Sequence, residues 1–347
     1  MQTLPGARWS CHGCGACCRD FRLGPVEPQV VEDLRARGAN ALAGRDDWAA
    51  LEPGPGGEMG WFLRHVDGAC VFLLPDNRCA VHAAWGGEAK PGFCREFPYR
   101  RLRDPNGEVL VIRAECAGFH ASQVDGEPLA DQAQLAAQIP HLGEIPTFAP
   151  NAVAVLPGVG LGLADWMTLE GAILQAWQAT SPTAEPEETA RSLAALAVRS
   201  MGRSLPPGRP GLAAEAVREA MRMVAGAAIA QETAETEAWQ KGLVREVIAL
   251  LAPGPQRELA HDARRYLHTL LGQAILGKHL VASGSFVAML GRFLFEVDLV
   301  RRRAGVGPIN AAEASDVLVP WLRFADNPMV LGMLRRATPA LLELTSP

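Results

Sequence analysis

Beyond position 163 apolar residues recur at three- and four-residue spacing, a period that predicts helices. They fall at Ala164–Ala179, Pro186–Ser200, Gly211–Leu251 with a break near Ala225–Ala234, Gln256–Leu276, Phe286–Arg303, Ala311–Phe324 and Pro328–Leu344. Gly and Pro punctuate their ends, as helix boundaries require. The first third reads differently. Glu27–Arg37 predicts a short amphipathic helix ended by Gly38, and Met59–His65 and Ala69–Leu74 have the aromatic and apolar content of strands. Phe97–Arg103 and Glu108–Glu115 flank Asp104-Pro105-Asn106-Gly107, and Asn-Gly between such runs signals a hairpin. Pro53-Gly54-Pro55-Gly56-Gly57 reads as a flexible loop. The expected architecture is α+β: a Cys-rich module with short strands over 1–125, a Pro-punctuated linker over 126–150, and an all-α domain of six to eight helices over 151–347.

Composition narrows the function classes. The 347 residues suffice for two ordinary domains, and 48% apolar content supports a core without covalent staples. A net charge of −5 lacks the basic face of a general nucleic-acid binder. Residues 1–10 show no basic segment followed by an apolar stretch, so no secretory leader is read there. The best apolar runs, Asn151–Leu163 and Leu280–Leu290, are broken by Gly and soon meet charges, so no membrane span is expected. The expected compartment is cytoplasmic, where thiols stay reduced.

All eight Cys lie at or before Cys116, which random placement would give with odds on the order of 10⁻⁴. They form the run Cys11-His12-Gly13-Cys14-Gly15-Ala16-Cys17-Cys18, then Cys70, Cys79, Cys94 and Cys116. Two-residue gaps let successive thiolates converge on one centre, and the Gly and Ala fillers leave room for amide N–H groups to face sulfur. Adjacent side chains such as Cys17 and Cys18 rarely reach one metal with good geometry, so the simplest arrangement sends one to each of two centres. Cys11, Cys14 and Cys17 would then share one centre with a distal Cys. Cys18 would join a second with three of Cys70, Cys79, Cys94 and Cys116. A single centre with several structural thiols stays open. Three Cys at two-residue gaps plus a distant fourth is the arithmetic of a 4Fe-4S iron–sulfur cluster, and it also suits tetrahedral zinc. The run with its distal partner favours iron–sulfur.

Other residues add options. His12 and His82 could ligate zinc, although His82 is more simply a half-buried strand-end residue; His65 and His120 are weaker candidates. Arg95, Arg100, Arg101 and Arg103 form a basic group beside Cys94 that could neutralise an anionic cluster or bind a cofactor's carboxylate or phosphate. The alternative is a solvated hairpin edge. His261, Asp262 and His268 read as surface residues, Trp48, Trp61, Trp85 and Trp166 as core or interface anchors, and Glu232, Glu235 and Glu237 as a solvated charge run. Neither a Gly-rich phosphate loop nor a Gly-x-Ser-x-Gly elbow is present.

The Cys11–Cys18 run resembles the C-x2-C-x2-C-C signature of the cysteine-cluster family of zinc- or iron-chelating proteins, the YkgJ type. Gly68-Ala69-Cys70-Val71-Phe72-Leu73 with Arg78-Cys79-Ala80-Val81-His82 is similar to that family's second segment. Lys90-Pro91-Gly92-Phe93-Cys94-Arg95-Glu96-Phe97-Pro98 is similar to its third, with Lys90 where Arg is usual and an insertion at Gly86–Glu88. Glu115-Cys116-Ala117-Gly118 fits its close. More distantly, a Cys-rich module ahead of a Cys-poor helical region resembles flagellin lysine N-methylase. The first resemblance implies a metal- or cluster-binding accessory or redox protein. The second implies an iron–sulfur cluster and S-adenosylmethionine as the methyl donor for a protein substrate. A third function class stays open, a structural zinc module presenting the helical domain to a protein partner.

Overall fold

The computed structural model describes residues 1–54, 57–139, 144–230, 238–252, 254–282, 284–325 and 327–346. Two hydrophobic cores organise them. The smaller lies within residues 21–93. Its sheet has Met59–Leu63 between Leu23–Val26 and Ala49–Pro53, both antiparallel to it. The helix Pro28–Ala36 covers this core with Val31 and Leu34, one i,i+3 stripe, and begins on a Pro whose missing N–H costs nothing at that position. Trp48 and Phe72 meet at a tilt in the centre, ring centroids 5.3 Å apart.

The larger core runs from Leu4 to Leu344. The predicted hairpin, Tyr99–Asp104 with Gly107–Ile112, belongs to it. Gln2–Thr3 adds a parallel strand to Gly107–Ile112. Val109, Leu110, Val111 and Ile112 are all buried, the continuous apolar run of a strand covered on both faces. Gln273 Oε1 accepts from Ile112 N–H at 3.1 Å and ties the strand to the helix His261–Leu276. Pro105 and Asn106 form the hairpin tip, and Asn106 N–H donates to Asp104 Oδ1 at 2.8 Å. At that tip Lys278 Nζ meets Asp104 Oδ2 at 2.8 Å and Glu170 Oε2, all three side chains at most 3% exposed.

The helical pattern is realised as Leu163–Ala179, Pro186–Arg199, Pro210–Ala230, Ala238–Leu250, His261–Leu276, Phe286–Arg301, Ala311–Ala325, Pro328–Arg336 and Thr338–Leu344. The last predicted helix is two, because Pro339 cannot bond to the preceding turn. Phe286–Arg301 is buried on almost every side and runs through the middle of the bundle. The break expected near Ala225–Ala234 falls partly, and Glu232, Glu235 and Glu237 fall entirely, outside the described residues.

Several short elements escape the periodicity. The stretch 126–150 carries the helix Leu129–Gln138, whose apolar face is mostly Ala and therefore weak as a pattern. Ala152–Leu156 and Val159–Gly162 form a hairpin ahead of the first long helix. Of the strand predicted at Ala69–Leu74, Ala69–Cys70 pairs with His65–Val66 across a turn at Asp67 and Gly68, both at positive φ (51° and 79°), and Leu73 makes a single antiparallel bridge to Cys79. His268 is buried and stacks on Trp177 at 4.5 Å, where a surface position was expected. Burial holds its imidazole down to about 4, so it is neutral near pH 7. Among the described residues no helix is long and apolar enough to cross a membrane.

Candidate metal centre

The Cys11–Cys18 run is a loop closed by one 3₁₀ turn at Ala16–Cys18. Gly13 and Gly15 take positive φ, 62° and 69°, which a side chain would strain. A Cβ on Gly15 would also meet Arg19 Nη1 at 2.6 Å and Asn77 Oδ1 at 3.1 Å. The fillers therefore set the loop's path and leave its thiols free to face inward. The other cysteines arrive on short elements: Cys70 ends a two-residue strand, Cys79 caps the helix Ala80–Trp85, Cys94 lies in the helix Gly92–Glu96, and Cys116 follows the hairpin.

All eight thiols are free, and all eight line one cleft of about 600 Å³. The cleft sits between the two cores. Cys18, Cys70 and Cys79 pack on the smaller core, whereas Cys116 packs on the larger. Among the described residues no group of three or more His, Cys, Asp or Glu side chains is closed tightly enough to hold a single metal ion; the thiols stand around the cleft instead.

Exposure and neighbouring thiols order the set around the adjacent Cys17 and Cys18. Cys17 and Cys18 sulfurs lie 4.0 Å apart. Their shared hydrogen bond holds Cys17 below its ordinary value and pushes Cys18 up, so the pair gives up its first proton readily and its second with difficulty. Cys18 also feels Cys70 and Cys94. Burial pushes Cys70 up to about 12 and Cys94 well above its ordinary value; Cys79 and Cys17 add to both, and Lys90 opposes both. Burial likewise pushes Cys116 up to about 11, but its thiol neighbours are Cys14 and Cys17. Cys11 and Cys14 are exposed, so the neighbourhood of Cys11, Cys14, Cys17 and Cys116 faces solvent. That of Cys18, Cys70, Cys79 and Cys94 lies deeper.

The surroundings fit a thiolate-held cation. Backbone N–H groups favour the thiolates of Cys70, from Phe72, and of Cys116, from Gly118. Trp9 Nε1 is buried and its N–H favours the Cys116 thiolate. The cleft is lined by Arg22, Lys90, Arg100, Arg101, Arg113 and Arg323 against only Glu96 and Glu115 as carboxylates. A four-thiolate centre carries net negative charge, which this excess of cations complements.

The predicted accessory residues divide. Arg95 is absent from the cleft wall and pairs with Glu88 at 3.0 Å. Arg101 donates to the carbonyls of Ala137 and Ile139 at the end of the helix Leu129–Gln138, a structural tie. Arg100 reaches the wall and donates to the His279 ring, 2.6 Å from Nε2. Burial and then Arg100 hold His279 down to about 3, so it accepts as a neutral ring. His82 is exposed on a helix, which corrects its placement at a strand end. His12 reaches Ser122 Oγ at 3.1 Å and Asp125 at 3.5 Å. His65 lies on its two-residue strand, and His120 Nδ1 is 2.9 Å from the Ala117 carbonyl. Lys90, noted in the third segment, lines the wall, as do Arg22, Arg113 and Arg323, which carry no sequence signal of their own.

A thiol-walled cleft with amide donors and compensating cations defines a cysteine-ligated metal-binding module. Residues 10–117, roughly a third of the chain, match the family model of the CxxCxxCC motif, described as a "putative zinc- or iron-chelating domain". An uncharacterized protein of Methanocaldococcus jannaschii is 26% identical over 136 residues, 38% of this chain and 45% of its own length. The chain thus spans less than half of that relative. No solved structure matches the chain.

Proposed function

We propose that the module carries two iron–sulfur centres, one on Cys11, Cys14, Cys17 and Cys116 and one on Cys18, Cys70, Cys79 and Cys94, in a redox or accessory protein. The observation that carries this reading is the arrangement of eight thiols around one cleft of about 600 Å³ rather than at single-ion spacing. Four thiolates close on a zinc ion at about 2.3 Å and need no cavity. A polynuclear cluster occupies volume between its ligands, and the cleft offers it. Cys17, at the junction, neighbours Cys70 and Cys94 as Cys18 does, but it alone of the adjacent pair also neighbours Cys116, and this supports two centres rather than one. The exposed Cys11 and Cys14 bring the outer centre to the surface, where electrons can be exchanged with a partner.

Full-length protein purified without oxygen tests the proposal. It is expected to be brown, with broad visible absorption and iron and acid-labile sulfide in equal amounts. Colourless anaerobic protein with stoichiometric zinc would overturn the iron–sulfur assignment.

A further inference from the structure

The outer centre has a structural need that the inner one lacks. Its ligands come from two segments almost a hundred residues apart, the Cys11–Cys17 loop and Cys116. The inner centre's Cys18, Cys70 and Cys79 all rest on the smaller core, whereas the outer centre's Cys116 rests on the larger. Arg323, from the helix Ala311–Ala325, spans the two outer segments. Its Nη1 donates to Asp20 Oδ2 at 2.7 Å and its Nη2 to the Glu115 carbonyl at 3.2 Å. Asp20 N–H in turn donates to Ala16 O at 2.9 Å and closes the turn that holds Cys17 and Cys18, of which Cys18 is held by the smaller core as well. Glu115 immediately precedes Cys116, and its own carboxylate is fixed by Arg113 at 3.1 Å. The Arg323 guanidinium also lies 4.6 Å over the Phe21 ring, with its side chain only 10% exposed.

From this geometry we infer that Arg323 is a positioning residue for the outer centre, a latch by which the helical region holds Cys116 against the Cys11–Cys17 loop. The inference rests on the two-centre reading above. Arg suits the task because its planar fork reaches two separated acceptors while its face lies on an aromatic ring. Lys could keep the Asp20 pair but not all three contacts. Occupancy of the outer centre and docking of the helix Ala311–Ala325 then stabilise each other, since whatever binds one closed state favours it.

The test uses full-length, anaerobically purified protein and follows iron release to a ferrous chelator together with the electron paramagnetic resonance of the reduced form. Cys14→Ser and Cys79→Ser supply the signal of each centre alone. Arg323→Met is expected to speed release from the outer centre by roughly 10–100-fold, the usual range for a residue that supports a ligand. The inner centre keeps its rate and its signal. Arg323→Lys should recover part of the effect, and Asp20→Asn should reproduce part of the loss; these two decide the matter if Arg323→Met does not fold. Unchanged release in these variants, or parallel loss of both centres, would overturn the latch. A wild-type protein with fewer than two centres would instead overturn the two-centre reading on which the latch depends.

Discussion

Replacing Lys278 by Met removes the cation between Asp104 and Glu170, two carboxylates that are 2–3% exposed. Breaking a buried pair by deleting one partner costs about 3–5 kcal/mol. The folded variant has one escape, uptake of a proton. Glu170 is the group to take it, because burial already pushes its carboxyl above the ordinary 4.5, with the charge of Asp104 acting in the same direction. Holding that proton costs about 1.4 kcal/mol for each pH unit above the ordinary value, or roughly 3–4 kcal/mol at pH 7 and under about 1 at pH 5. Both routes give a similar loss at pH 7. The sign follows from the raised folded value: the folded variant keeps a proton that the unfolded chain has released, so its stability falls as pH rises above 4.5. Urea unfolding followed by tryptophan fluorescence reports the change, with Trp166 buried on the helix that carries Glu170. The gap between wild type and variant is expected to narrow by about 2–3 kcal/mol from pH 7 to pH 5. Adding Glu170→Gln should abolish that slope. A gap that stays constant, or widens on acidification, would refute the shared burial of these charges.

Cys14→Ser should lower metal content and the stability of the N-terminal module together, because thiolate ligation contributes folding energy; unchanged metal and melting would remove Cys14 from the ligand set. In metal-free reduced protein at pH 8, an aromatic disulfide reagent should label the exposed Cys11 and Cys14 and the readily ionised Cys17 first. Cys70 should react only on unfolding, since burial pushes its thiol up to about 12. Peptide mapping that finds Cys70 among the first labelled would contradict that order. Gly291→Ala should cost at least about 3 kcal/mol, because its Cβ would run into the Leu341 carbonyl where two helices cross. A variant with wild-type melting would show that this crossing yields easily.

The long helices and the 99–112 hairpin were legible because each buries a face at a fixed period. The thiol set was legible because eight cysteines crowd one third of the chain. What periodicity could not show is how the elements combine. Val109 to Ile112 read as strand, but only the fold reveals that helices from the second half cover it. Arg323 is one arginine in an arginine-rich chain and meets Asp20 across 303 positions, so no local pattern distinguishes it. Lys278 is likewise invisible until Asp104 and Glu170 are brought to it. His268 misled for a related reason: its ring is buried by stacking on Trp177, a contact between helices that sequence spacing does not encode. Asp67-Gly68 was a readable turn signal, and it explains why the strand at Ala69 is so short.

The contact from Arg323 back to Asp20 also sets an order of assembly during synthesis. Arg323 follows Cys116 by about two hundred residues, roughly 10–40 s of translation at about 5–20 residues per second. Throughout that interval all eight thiols have left the ribosome's active centre while the helix that bears Arg323 is incomplete, and for most of it the helix His261–Leu276 that covers Ile112 is incomplete too. The nascent chain therefore passes through a stage with an open set of reduced thiols. Delivery of metal at that stage meets an unguarded loop, whereas delivery after release must enter a cleft whose back wall is already in place.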